Sequence, residues 1–190
     1  MKSLAVLAAL SAAAFLTSPY ADTLTDQNAA EAKGIIGEFF TTLKGELKGA
    51  LQEGGPVGAV AVCKQRAPAI AKALSDMSGW DVGRTSLKLR NSTLNAPDAW
   101  ERQVLKDFEE RKAAGEDVNS MTYSEVVETE GGKRYRFMKA IPTGEVCLVC
   151  HGEAISPDVA AALDKAYPDD QARGFALGDI RGAFTLSKPM

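Results

Sequence analysis

Cys147 and Cys150 stand three positions apart and are followed directly by His151, in the run Cys147-Leu148-Val149-Cys150-His151. This C-x-x-C-H arrangement is that of c-type haem attachment, so a chain carrying it must fold around one covalently held haem c. Two thiols one helical turn apart reach the two vinyl groups on one edge of a porphyrin. The adjacent imidazole then projects beneath the ring, where it binds the iron as proximal ligand. His151 is also the only histidine in the 190 residues.

Three other readings of the cluster compete. A thiol–disulfide redox centre normally sits early, after the first strand of a βαβ unit, whereas this pair lies late and follows a hairpin-like pattern. A structural zinc held by Cys63, Cys147, Cys150 and His151 requires the adjacent Cys150 and His151 to chelate one tetrahedral ion, which is awkward. The third is a local disulfide beside a solvated histidine. Residue identity, spacing and the compartment favour haem.

The compartment comes from the N-terminus. Lys2 supplies a short positive segment, residues 4–16 form an apolar run of Ala and Leu, and small residues follow, with a cleavage point expected after Ala21. The run is too short to span a bilayer, and no later segment is long and apolar enough to do so. The expected organisation is therefore an export segment, residues 1–21, and one domain, residues 22–190, in an oxidising compartment, the periplasm. There the cysteine count of 3 leaves Cys63 over, and an odd cysteine in an exported protein needs a use. A charged fraction of 25% and a net charge of -3 give no basic footprint for nucleic acid.

Hydrophobic periodicity predicts helix over residues 23–53, with Ile36, Phe39, Phe40, Leu43, Leu47 and Leu51 as its apolar stripe, ended by Gly54-Gly55-Pro56. A second helical segment places Val60, Cys63, Ala67, Ile70 and Leu74 near one face, and Pro68 must kink or split it. Residues 80–89 read as extended. A helix starts near Asp98 and buries Trp100, Val104, Leu105 and Phe108. Strands over 122–130 and 133–141 flank the Gly131-Gly132 turn, a short helix covers 157–167, and a last strand covers 182–187. Strands joined through hairpins with helices before and between them predict an α+β domain, an antiparallel sheet with packed helices. No internal repeat or low-complexity linker is present.

This is not the small class I cytochrome c pattern, which is largely helical and carries its haem motif near the N-terminus. The sixth iron position is therefore open. Met77, Met121, Met138, Met190, a lysine, Cys63 and no ligand are the alternatives, since no second histidine exists. Met190 ends the chain, Met138 alternates with Phe137 in a strand, and Met77 and Met121 flank turn-like stretches. Cys63 lies on the apolar face of its helix, where a thiolate is costly unless a cation or metal neutralises it. A free cysteine there also serves simply as a small buried hydrophobe.

The segments AVAVCKQRAPAIAKAL, VGRTSLKLRNSTLNAPDAWE, RYRFMKAIPTGEVCLVCHG and YPDDQARGFALGDIRGAF, in that order, resemble a family of exported c-type haem proteins long catalogued as a domain of unknown function. The likeness runs over nearly the whole chain after the export segment. It implies a PAS-like fold, found also as the periplasmic sensing part of some histidine kinases and chemoreceptors. It further implies an iron held by a histidine and a cysteine thiolate, positions matched here by His151 and Cys63. An anionic thiolate stabilises ferric iron, so such a pair implies a low reduction potential and weaker thiolate binding once the iron is reduced, opening a site for CO or NO.

Arg84, Lys88 and Arg90 share one side of an extended stretch, and Arg84 and Arg90 are candidate partners of the haem propionates, because guanidinium groups suit carboxylates. The competing reading is a solvated charged face. Asn91, Asn95 and Asp98 read as turn and cap residues, and residues 178–182 as a turn entering the last strand. The functional expectation is a periplasmic monohaem c-type cytochrome acting in redox sensing or one-electron transfer with a separate redox or signalling protein. The alternatives are a haem-based gas sensor and, ranked lower, a peroxidase-like enzyme, for which a second histidine or obvious general acid is missing.

Overall fold

One pair of glycines and two prolines decide how the N-terminal half of the chain bends. The computed structural model describes residues 19–190, so the expected export segment, residues 1–21, lies outside the described residues except for its last three positions. Helix α1 (Pro19–Ala61) does not end at Gly54-Gly55-Pro56 as the turn residues predict. It kinks there, with Gly55 at φ 62° and ψ −169°, and resumes at once. Glycine enters that left-handed region without steric cost, and the fixed φ of Pro56 suits the first position of a new helical stretch.

The second proline acts differently. Val62–Arg66 form a π-helical turn in which the Ala67 N–H bonds the Val62 carbonyl, and helix α2 (Ala67–Ser78) follows with Pro68 in its first turn. Pro68 has no N–H to donate and its ring crowds the carbonyl four residues back, Lys64. Widening the turn moves that carbonyl away without breaking the helical path. Cys63 sits on this widened turn.

Four strands follow from the hairpin and turn signals: β1 (Asp81–Thr85), β2 (Thr122–Thr129), β3 (Gly132–Pro142) and β4 (Ile180–Pro189). They form one antiparallel sheet in the order β1-β4-β3-β2. Only residues 81–85 of the expected extended stretch pair, because the ladder ends where Thr85 meets Ala183. Helix α3 (Ser92–Asn95) is capped by Asn91, whose side chain accepts from the Leu94 amide at 3.1 Å. Helix α4 (Ala99–Ala113) opens on a capping box in which Asp98 accepts from the Glu101 amide and Glu101 reaches back to the Asp98 amide. Helices α5 (Glu145–His151) and α6 (Pro157–Ala166) lie between β3 and β4.

Strand alternation distributes the core over both sheet faces. Tyr135, Phe137, Phe184 and Leu186 face α1 and α2, where Ala32, Ile36, Phe39, Ile70, Leu74 and Trp80 pack on them. Met138, Ala140 and Ala183 face the other way, onto Val104, Leu105 and Phe108 of α4 and onto Met121. The α+β, PAS-like expectation agrees with this four-stranded antiparallel sheet and its flanking helices. The apolar stripe of α1 divides: Phe39 is fully buried, Phe40 is 50% exposed, and the stretch beyond Leu43 leaves the core. Among the described residues no helix is long and apolar enough to cross a membrane.

Gly182 sits where β4 meets the end of β1. At φ 155° it sits in a region L side chains rarely adopt, and a Cβ there would run into the Thr85 carbonyl oxygen and approach the Ser86 Cβ at 3.0 Å. Gly182→Ala is expected to lower stability by about 1–3 kcal/mol, the range for a backbone forced against its preferred region. Thermal unfolding checks this; an unchanged Tm would mean that β1 gives way freely.

Candidate functional site

Leu43, Leu47 and Leu51 of α1 form one wall of a cavity of about 580 Å³, Leu43 while still packing on the core. Val60, Cys63 and Pro68 continue that wall around the π-helical turn. Helix α5 faces it with Cys147, Cys150 and His151. Arg84, Phe184 and Arg181 supply the sheet side, with Arg90 beyond β1, and Leu163 and Tyr167 close the end against α6. The four residues singled out by cofactor chemistry, separated by 84 positions between Cys63 and Cys147, thus share one enclosure.

They share it without converging. All three cysteines are free thiols. Among the described residues, no group of three or more His, Cys, Asp or Glu gathers closely enough to hold a metal ion. A space walled by Cys63 on one helix and by the motif on another suits a broad group with a donor on each side.

Helix α5 presents the motif by helical spacing: Cys147 and Cys150 are one turn apart and His151 ends the helix. The imidazole is oriented from behind. Its Nδ1–H donates to the Ala172 carbonyl at 2.8 Å, which leaves Nε2 as the acceptor nitrogen of the ring. The Arg181 Nε–H lies 3.3 Å from that Nε2. Phe175 stands edge-on to the ring, 6.1 Å between centroids. Burial, reinforced by Arg181 and Arg90, pushes His151 down to about 2, so the ring is neutral and ligand-competent through physiological pH.

The Ala172 carbonyl is itself held in place. Arg90 donates to it at 2.9 Å and to the Cys150 carbonyl at 2.5 Å, and pairs through Nε with Asp170 at 3.1 Å. Asp170 also accepts from the Ala172 amide at 2.9 Å and from Arg173 at 2.8 Å. Asp170 and Arg90 side chains are 2% and 9% exposed. Arg90 is therefore committed to the polypeptide around the motif, tying Cys150, Ala172 and Asp170 together.

Two other guanidinium groups on the wall are not so committed. Arg84 packs over the Phe39 ring at 5.3 Å, and Arg181 packs over Phe175 at 5.3 Å with weak contacts to Ser86 Oγ and the Lys88 carbonyl. Neither forms an ion pair with a described residue. Burial lowers the pKa of both, that of Arg181 to about 10. Two half-buried, unpaired cations facing one cavity call for two anionic charges. Lys88 turns away, its Nζ 3.3 Å from the Arg173 carbonyl and 5.0 Å from the Phe175 ring centroid.

On the opposite wall, burial raises the Cys63 thiol, while Arg84, Arg90 and Arg181 pull in the other direction. Cys63 is half-buried and lines the cavity instead of filling core, unlike the small buried hydrophobe of the competing reading. None of the four candidate methionines lines the cavity: Met121 and Met138 are core residues under α4, and Met77 and Met190 are exposed. Of the lysines, only Lys44 reaches the rim among the described residues, as an exposed side chain beside Phe40.

Arg181, Asp170 and Tyr167 were not readable as site residues. A β-bulge at Ile141/Pro142 breaks the alternation next to Arg181, so the period-two pattern does not give its direction. Asp170 and Tyr167 lie in and beside an irregular segment whose course only the tertiary structure fixes.

The chain matches the family model described as Tll0287-like over residues 11–189. No curated protein sequence matches it. Among solved structures, the crystal structure of the cyanobacterial heme-protein Tll0287 is similar, with a TM-score of 0.61 and 24% identity, covering 84% of this chain and 96% of that one. At that identity the likeness shows a shared fold.

Proposed function

The chain belongs to the Tll0287-like family, and from that premise we propose that it binds a single haem c, attached through Cys147 and Cys150 and ligated by His151 and Cys63. The observation that carries the reading is that these four residues line one cavity. A porphyrin needs that arrangement: two thiols at one edge and axial donors on opposite faces. The haem-protein title of the similar solved structure supports it.

When bound, haem supplies a one-electron couple. The chain does the rest. His151 presents Nε2 because Ala172 holds Nδ1–H. Arg84 and Arg181 neutralise two propionates, a role that falls to Arg181 in place of Arg90 because Arg90 already serves Asp170. Apolar side chains of α1 and α6 exclude water from the faces of the ring.

The best-supported activity is redox sensing. Cys63 sits on a π-helical turn, between the kink at Gly55 and Pro68, so a change in its bond to the iron would act on a distorted segment rather than on a regular helix. One-electron transfer is the second reading, favoured by the exposure of Val146 and Val149 beside the attachment cysteines, where a redox partner would find the porphyrin edge. Export through residues 1–21 to the periplasm belongs to the same proposal, since covalent haem attachment is completed there.

Optical and EPR spectra of the protein from a host that matures c-type cytochromes test the reading. A covalent haem with thiolate bands in the ferric state is expected, with a mass equal to the chain lacking residues 1–21 plus one haem. A colourless, zinc-containing product would overturn it.

A further inference from the structure

Lys33, Gly37, Phe40, Lys44 and Lys48 follow one another at steps of three or four residues along α1, and all are exposed. That spacing puts them on one stripe, flanking the buried Ile36 and Phe39, and no acid falls within it. Phe40 and Lys44 also line the cavity, with the Lys44 Nζ 5.6 Å from the Phe40 ring centroid. Lys139 of β3 adds a fourth charge. Burial and the like charge of Lys33 lower its pKa, and it donates to the carbonyl of Asn119, an exposed residue of the cavity lining. None of these four lysines forms an ion pair with a described residue.

Two acids stand by this flank: Asp117, which accepts from the Asn119 side chain at 2.9 Å, and Glu145 in the first turn of α5. Four unpaired cations outnumber them, so the flank is positive on a chain whose net charge is -3. Beside it, the exposed side chains of Phe40, Val146, Val149 and Leu177 rim the cavity. An apolar centre flanked by charge of one sign is the make-up of a transient protein docking face, in which the charge steers the encounter. We propose that this face docks a one-electron redox protein with an acidic docking surface, seated over the mouth of the cavity. The proposal rests on the reading of the cavity as a haem site. In the complex the reduced partner gives up one electron and the ferric iron becomes ferrous, with no bond made or broken and no proton moved.

The test mixes the haem-loaded protein with reduced plant-type iron–sulfur ferredoxin, an acidic one-electron donor, in a stopped-flow instrument. The bimolecular rate constant for haem reduction is expected to fall about tenfold or more between low salt and about 0.3 M ionic strength. Lys33→Glu combined with Lys48→Glu is expected to lower it about tenfold at low salt. The same pair should leave the haem spectrum, and the rate with an uncharged small reductant, unchanged. Lys106→Glu combined with Lys133→Glu makes the same change of net charge on α4 and at the β2–β3 turn, and should leave the ferredoxin rate within about twofold. Equal slowing by the two pairs, or a rate indifferent to salt, overturns the proposal. So does an unchanged ferredoxin rate in a Lys33→Glu, Lys48→Glu protein that has lost binding to phosphatidylglycerol vesicles, which would assign the flank to a membrane. If the protein carries haem in those cases, the haem reading survives and only the docking face falls. A protein without haem removes both.

Discussion

Cys63→Ser is expected to abolish the thiolate bands of the ferric spectrum and to raise the reduction potential by on the order of 0.1–0.3 V, within the roughly 0.8 V range that axial ligands command. The reason is charge. A thiolate cancels part of the positive charge of ferric iron, and a neutral serine hydroxyl does not, so the oxidised state loses more than the reduced one. The surroundings amplify the loss. Arg84, Arg90 and Arg181 all act on Cys63, and their positive field is no longer offset once the anion is gone. Haem retention is expected to survive, because Cys147, Cys150 and His151 are untouched. A ferric spectrum and potential identical to those of the parent would remove Cys63 from the iron and return the sixth position to Lys44 or to no protein ligand.

Asp170→Asn is expected to cost about 3–5 kcal/mol, the penalty for removing one partner of a buried ion pair and leaving the other charged. Arg90 would stay buried beside a neutral amide, and the amide nitrogen would point a donor at Arg173 or at the Ala172 N–H. At this chain length the loss corresponds to a Tm lower by about 10 °C. The carboxylate also has a signature in pH. Burial alone would push it up, but hydrogen bonds from Arg173 and the Ala172 amide, with the charge of Arg90, outweigh burial and hold Asp170 below the usual aspartate range. A carboxyl that is more acidic folded than unfolded adds stability above its unfolded pKa of about 3.9 and loses it as pH falls through the folded value. The parent should therefore lose this contribution progressively below about pH 4, and the variant should show a flatter acid limb. Parallel acid limbs in denaturant unfolding would show that Asp170 carries no such linkage. Because Asp170 fixes Ala172, which fixes Nδ1 of His151, the variant should also broaden the haem spectrum through a less uniform imidazole orientation.

The elements themselves were largely legible. The Gly131-Gly132 turn between alternating runs gave β2 and β3, the Asp98 and Glu101 spacing gave the start of α4, and the late strand proved to be β4, extended at both ends. Where the reading missed, a local residue had two allowed outcomes. Gly55 and Pro56 are compatible with ending a helix or with kinking it, and only the packing of Val60 against Val159, Leu163 and Tyr167 selects the kink. The α1 stripe was sound as periodicity, but periodicity does not distinguish a wall of the core from a wall of a cavity: Phe39 went to one, Leu47 and Leu51 to the other, and Leu43 touches both.

The sequence by itself set the expectation of haem attachment, because the spacing of Cys147, Cys150 and His151 is local and survives any fold that keeps one helical turn there. It also singled out Cys63 as the cysteine outside the motif, since the count of cysteines is independent of structure. Which residues stand opposite the motif was decided only by tertiary structure. The sheet order β1-β4-β3-β2 brings Arg84 and Arg181 onto one wall, and the π-helical turn forced by Pro68 brings Cys63 onto another. The irregular segment after α6 carries Asp170 and Ala172 to the back of His151. These are long-range placements, set by packing between segments far apart in the chain, and no periodicity or spacing within a segment encodes them.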